Sequence, residues 1–240
     1  MKSTVIIVFS CSISVFATGQ NSFLNFFPNE IKAVDLTVKR KKEIERRDLL
    51  LYNENKTSKE QQELETLCDK YGEPESFWHI LKTACDWYCG DANYTIKASS
   101  ALKNSDGLKY EASSANDLSY ETAWVEGKKD EGIGEWIEYY FKNNGRGLTT
   151  IIVSNGYMKS EATWKNNNRV KKLKLSVNGK TYGILNLKDS RTDQVFKLGT
   201  LGREKEGTDL ILRFEILEVY RGVKYNDTAI TEIYFDGPHH

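Results

Sequence analysis

Leu173, Leu175 and Val177 alternate with Lys172, Lys174 and Ser176, and the run stops on Asn178-Gly179 before Tyr182, Ile184 and Asn186 begin a return. Alternation of apolar and polar residues at period two marks a half-buried strand. Asn-Gly tolerates positive φ at both central positions of a two-residue hairpin turn, so the two runs pair antiparallel. Further strand-like runs occupy 136–141, 149–154, 195–198, 210–219 and 230–235, separated by Gly, Asn and Asp clusters. No helix-length pattern interrupts them, which excludes a parallel sheet built from crossover helices and predicts a β-sandwich or barrel of about 150 residues.

The chain before residue 90 has a different character. From Asn29 to about Cys89 it is rich in Glu, Lys, Arg, Gln and Leu, and Ile31, Val34, Val38, Leu64 and Leu67 recur three or four apart. That spacing predicts helices. Asn53-Glu54-Asn55 breaks the pattern, Ser58 is placed to cap a second helix, and Gly72-Glu73-Pro74 separates a third helix carrying Phe77, Trp78, Ile80 and Leu81. Lys39 to Lys42 with Arg46 and Arg47 form a basic cluster that Glu43 and Glu45 interrupt, and Glu43 with Arg47 fits an i,i+4 pair on a solvated face.

The first residues read as an export signal. Lys2 precedes an apolar run from Val5 to Phe16, and Ala17-Thr18-Gly19 offers small residues for cleavage before Gln20. The run is shorter than a spanning helix needs, so no membrane span is expected. The expected organisation is a signal peptide at 1–19, a helical segment at 20–90 and a β domain at 91–240. In an oxidising compartment Cys68, Cys85 and Cys89 allow one structural disulfide and a spare thiol. Zinc is the alternative, with His79, Asp86 and Asp91 as the nearby further ligands.

Composition narrows the function. The 34 basic and 34 acidic residues cancel, so no overall field favours nucleic acid. His79, His239 and His240 are the only histidines, which leaves almost no material for a Ser-His-Asp or Cys-His arrangement. Glu126 with Glu135, or Asp189 with Glu215, suit glycosidic acid/base work on paper, but 34 acidic residues produce such pairs by chance. Gly132-Ile133-Gly134 lacks the rest of a phosphate loop.

A series of motifs carries a family resemblance: Ala98-Ser99-Ser100, Asn116-Asp117, Thr122-Ala123-Trp124-Val125-Glu126-Gly127, and Gly132-Ile133-Gly134-Glu135-Trp136-Ile137. It continues through Asn155-Gly156-Tyr157, Trp164-Lys165-Asn166-Asn167, Arg169 to Leu173, Glu215 to Tyr220 and Asp227 to Ile233. Residues 91 to 237 resemble a discoidin-like (F5/8 type C) domain, and more closely the non-catalytic translocation, or NADase-type glycan-binding, domain of secreted bacterial NAD glycohydrolases. The resemblance implies a mainly β, galactose-binding-like jelly-roll sandwich, here preceded by a small α-helical segment. It implies recognition of a glycan or glycoconjugate at the bacterial cell envelope or outside the cell, and no catalysis.

A sugar offers apolar C–H faces ringed by hydroxyls, so its site needs an aromatic platform beside groups that hydrogen-bond. Asn155 to Arg169, expected as a loop between strands, supplies that mixture. Tyr157 and Trp164 are candidates for stacking, and Asn155, Lys165, Asn167 and Arg169 for polar contacts. Trp124, flanked by Ala123 and Val125, is expected in the core. The resemblance also implies a structural calcium held by oxygen ligands from Asp117, Thr122 and Glu232. The reading is a secreted or envelope binding protein; the alternative is a protein-interaction or delivery module with no glycan ligand, which would meet a protein partner through the helical segment. Glycan identity and cysteine pairing are left open by the sequence.

Overall fold

The computed structural model describes residues 23–72, 94–105, 107–142, 147–202 and 207–237. The expected signal peptide, the expected third helix, Cys85, Cys89 and all three histidines lie outside them. So does any pairing of Cys68, which sits half-buried on the second helix.

The expected strands form, and they form two layers. One layer runs β1 (Leu24–Phe26), β8 (Lys180–Asn186), β7 (Asn168–Val177), β10 (Leu210–Tyr220), β5 (Trp136–Phe141) and β3 (Tyr94–Ala98). The other runs β2 (Glu30–Ala33), β9 (Thr192–Leu201), β6 (Leu148–Asn155), β11 (Thr228–Asp236) and the two-residue β4 (Trp124–Val125). A short parallel contact of Thr228 and Ala229 with Asn168 and Arg169 joins the layers at one corner. The Asn178-Gly179 hairpin forms as its sequence dictates, with φ of 47° and 77° at the two turn residues.

Inward-facing residues of both layers fill the space between them. Phe235 of β11 meets Tyr139 and Phe141 of β5 edge-on, at ring centroid distances of 4.9 and 5.3 Å. Trp124 is fully buried, as its apolar neighbours predict, and donates its indole N–H to the Ser100 carbonyl at 2.9 Å. A polar network lies within the second layer: Ser154, Tyr120 and Tyr234 donate their hydroxyls to the buried Asp193 carboxyl.

The N-terminal segment departs from the sequence expectation. Helix was expected from Asn29, but residues 24–33 pair with the sandwich: β1 runs parallel to β8 and β2 antiparallel to β9, one strand on each layer. Asn29 fixes the register by donating its N–H to the Val195 carbonyl and accepting the Lys197 N–H on its side chain. Unpaired edge groups of β8 and β9 thus outweigh the local spacing of Ile31 and Val34. Phe26 stacks on Tyr182 at 5.6 Å with the rings 3° from parallel. Gly183 makes room for it, because a Cβ there would lie 2.5 Å from the Phe26 ring.

Two helices follow, α1 (Val38–Leu51) and α2 (Ser58–Tyr71). Thr57, rather than Ser58, caps α2, in a reciprocal capping box with Glu60. Leu50, Leu64 and Leu67 form the buried seam between the helices. Arg47 does not pair with Glu43. It is buried, pairs with Asp48 and donates to the Tyr71 and Gly72 carbonyls at the end of α2. Glu43 pairs instead with Lys39 and Lys70. No helix among the described residues is long and apolar enough to cross a membrane.

Candidate functional site

The segment from Asn155 to Arg169 lies at the end of the sandwich where β6 leads into β7. It is not a plain loop, since Glu161–Asn166 form a short helix, α3, capped by a Ser160–Thr163 box. Four of the six residues expected to touch sugar are turned inward. Asn155 is fully buried, donating its amide to the Val170 carbonyl and accepting the Val170 N–H. Tyr157 is buried and donates its hydroxyl to the Glu121 carbonyl. The Asn167 amide closes on the Thr163 carbonyl. Arg169 pairs with both Asp189 oxygens at 3.0 Å and donates to the Asn167 and Arg221 carbonyls. Its guanidinium also lies 4.7 Å from the ring centre of Trp164, whose own N–H goes to the Asn155 carbonyl. Lys165 is exposed and pairs with Glu161. A string of amides, aromatics and arginine reads as a binding surface in one dimension; here those polar groups are taken up by backbone partners and by the Asp189 and Glu161 carboxylates.

What this framework supports is the loop at 221–227 between β10 and β11. Asn168, one per cent exposed, accepts the Gly222 N–H at 2.7 Å and donates to the Asn226 carbonyl at 2.5 Å. The Lys165 carbonyl takes the Val223 N–H, and the Asn166 carbonyl takes those of Lys224 and Tyr225. Gly222 passes so close that a Cβ would sit 2.4 Å from the Asn166 oxygen. With its backbone occupied, the loop exposes Arg221, Val223, Lys224, Tyr225 and Asn226. Arg221 and Asn226 face Lys129, Asp130, Glu131 and Ile133 of the β4–β5 loop across an open concavity of about 510 Å³. Arg221 and Glu131 pair across it at 2.5 Å. The sequence reading missed these residues, because Lys, Asp and Asn between strands look like any solvated turn. The one available signal was Arg221-Gly222, a glycine directly after a long strand.

Asp117, Thr122 and Glu232 do come together. The Thr122 hydroxyl donates to both Asp117 oxygens at 2.8 Å, and the Ser119 N–H reaches Asp117 at 3.0 Å and Glu232 Oε1 at 3.1 Å. Leu118 between them takes φ of 61°, a left-handed conformation that turns the loop back on itself. Glu232 is fully buried, and its Oε2 has no hydrogen-bond partner. Burial, and then the neighbouring Asp117 carboxylate, push the Glu232 carboxyl well above the usual carboxylate range. Two carboxylates and a hydroxyl, with one buried oxygen unsatisfied, are hard donors suited to a calcium ion.

The carboxylate pairs weighed for acid/base work are committed elsewhere. Glu126 is fully buried and accepts the Thr228 and Lys128 N–H groups, while burial pushes its carboxyl upward. Burial acts the same way on Glu135, but the Ser100 and Ser99 hydroxyls and Lys128 outweigh it and hold that carboxyl below its usual range. Asp189 belongs to Arg169 and Glu215 to Lys174.

Comparison with known proteins gives one family match. The model of the NAD glycohydrolase translocation F5/8 type C domain family matches residues 87–236. No curated protein sequence matches the chain. Among solved structures, the chain is similar to CpGH89CBM32-5 from Clostridium perfringens, solved in complex with GalNAc-β-1,3-galactose. Identity is 19% over 61% of this chain and 96% of that one, at a TM-score of 0.42. An F5/8 type C domain from Bacteroides fragilis is 15% identical over 62% of this chain and 94% of that one, at a TM-score of 0.43. Arabinofuranosyltransferase AftD from Mycobacteria is matched over only 11% of its length and 60% of this chain, with 17% identity and a TM-score of 0.41.

Proposed function

Because the chain belongs to the NAD glycohydrolase translocation F5/8 type C domain family, we propose that it is a non-catalytic, exported or envelope-bound protein that recognises a carbohydrate or glycoconjugate. The loops at 128–133 and 221–226 form the recognition surface. The observation that carries this reading is the 221–227 loop, whose amides are tied down by Asn168 and α3 while its Arg221 and Asn226 side chains face an open polar concavity. A loop held this way loses little conformational freedom when it binds. Arg221, Asn226 and Lys129 offer donors to sugar hydroxyls, and Ile133 offers apolar surface. Trp164, half-buried under Arg169, acts through the loop it helps to support. Lys165 lies at its margin.

Asp117, Thr122 and Glu232 would hold a calcium ion. When bound, it would neutralise two adjacent carboxylates and fix the 117–122 loop. The unpartnered Glu232 oxygen supports this assignment.

A second reading, in which the helical segment meets a protein partner, is favoured by Leu49 near the end of α1 and Tyr52 just after it, which line one surface and are 69% and 74% exposed.

The test is a glycan array of the mature chain with calcium and with chelator, alongside Arg221→Ala and Asn226→Ala. Binding that both substitutions weaken about tenfold or more is expected, the loss of one or two hydrogen bonds. Binding untouched by either would remove the site. Calcium should raise the melting temperature of the wild type and leave Glu232→Gln unmoved. Equal melting with calcium and chelator would discard the ion.

A further inference from the structure

The opposite end of the sandwich carries a second cavity, of about 450 Å³, between the Asn178-Gly179 hairpin, the end of β9 and the start of β10. Its apolar lining is Val177, Leu201 and the ring of Tyr182. The Tyr182 ring is held from behind, since Phe26 of β1 covers one face in parallel stacking and Gly183 leaves the space for it. Around this floor stand Asn178, Lys180, Thr181, Thr200, Thr208 and Asp209, the last of which accepts the Tyr140 hydroxyl. The Lys180 ammonium, the Thr181 and Thr200 hydroxyls and the Tyr182 hydroxyl make no hydrogen bond or ion pair among the described residues.

Four hydrogen-bonding groups left open around a braced aromatic ring match a ligand with an apolar face and a hydroxylated rim. An apolar ligand would leave the hydroxyls and the ammonium unpaired, and a purely ionic one would gain nothing from the ring. We propose that this cavity is a second binding site, for a neutral sugar ring stacked on Tyr182, with its hydroxyls bonded to Lys180, Thr181 and Thr200. The site goes beyond the loop surface proposed above and does not rest on it, because no residue is shared. Phe26, which braces it, lies outside the residues matched by the family model, so the first layer's added strand would give this chain a site of its own. Two sites at opposite ends would let one molecule bridge two glycan chains or gain avidity on one repeating polymer.

Methyl glycosides of galactose, glucose, N-acetylgalactosamine and N-acetylglucosamine, titrated singly into the full ¹⁵N-labelled chain, test the proposal. Saturable shifts at the amides of Thr181, Tyr182 and Thr200 with at least one glycoside are expected. Tyr182→Ala should weaken that binding about tenfold. Should Tyr182→Ala disturb the fold, Thr200→Val and Lys180→Ala remove single contacts at exposed positions and should each weaken it severalfold. Shifts confined to 128–133 and 221–226 overturn this site while sustaining the loop surface. Shifts confined to 177–182 and 200 do the reverse. Absence of shifts at 177–182 and 200 with every glycoside, or binding there that survives all three substitutions, also overturns it.

Discussion

Between α1 and α2 the buried apolar side chains are three leucines, Leu50, Leu64 and Leu67, whereas the sandwich closes over Trp124, Tyr139, Phe141, Phe196, Phe214, Tyr234 and Phe235. What the helices lack in core they make up in local bonds: caps at Thr37 and Thr57, and ion pairs of Arg46 with Glu60 and Glu63 and of Glu43 with Lys70. Exposed pairs of that kind each contribute little. The sandwich instead rests on burial, which is also what allows it to keep unsatisfied or strained groups at its ends, such as Glu232 and Leu118. The comparison teaches that the α1–α2 helix pair is specified residue by residue and the sandwich by bulk, so substitutions should act on them in different ways.

The largest effect should come from Phe235→Ala. Phe235 touches Tyr139 and Phe141 of the other layer, and its removal should cost about 3–5 kcal/mol in a denaturant titration. The helices should then be lost together with the strands if they depend on the sandwich. A two-step transition would instead show that the α1–α2 helix pair stands alone.

Acidity separates the two regions in direction. Burial raises the Asp193 carboxyl above its usual value, and the hydroxyls of Ser154, Tyr120 and Tyr234 only partly offset this. Below the unfolded pKa of 3.8 both states hold the proton. As pH rises from 3.8 towards the folded pKa, the folded state keeps a proton that the unfolded state has released, and stability from this group is lost until the pH passes the folded pKa. Asp193→Asn should therefore gain on the wild type between about pH 4 and neutrality, in melting temperatures read across that range. On the helices, Glu43, Glu60 and Glu63 are shifted down, chiefly by hydrogen bonds from Lys70, Thr57 and Arg46 respectively. Their contribution runs the other way, present above the unfolded pKa and lost as pH falls. A wild type and Asp193→Asn that melt in parallel would contradict the first half of this contrast.

The smallest effect is the most local. Thr57→Ala removes the α2 cap and should cost about 1 kcal/mol, read as faster amide exchange at the start of α2 with the strands unchanged.

Much of this architecture was legible from period alone. Asn178-Gly179 named its turn, and the runs at 136–141, 210–219 and 230–235 became strands because alternation and turn residues agreed with the pairing available to them. Strands β1 and β2 were not legible: all of Glu30–Ala33 is exposed, so the sequence carries no buried face there, and the pairing partners lie far along the chain. The direction of the candidate site side chains was not legible for another reason. Composition gives the kind of side chain and not its direction, and Asn155, Asn167 and Arg169 satisfy backbone groups with the same atoms that would serve a sugar. Asp117, Thr122 and Glu232 converge because a loop and the last strand bring them together, which only a likeness to known sequences suggested.

The paired strap at residues 24–33 has a consequence in time. Asn25 bonds Asn186 and Asn29 bonds Lys197, 161 and 168 positions away. During synthesis this stretch leaves the ribosome well before the strands that receive it exist, and its ends can be joined only after a long loop has closed. Phe23, Leu24, Phe27 and Ile31, which remain largely uncovered even after docking, must stay unassociated through that interval. The earliest part of the described chain is therefore among the last to find its place, and it is the part most exposed to mispairing with another copy on the way.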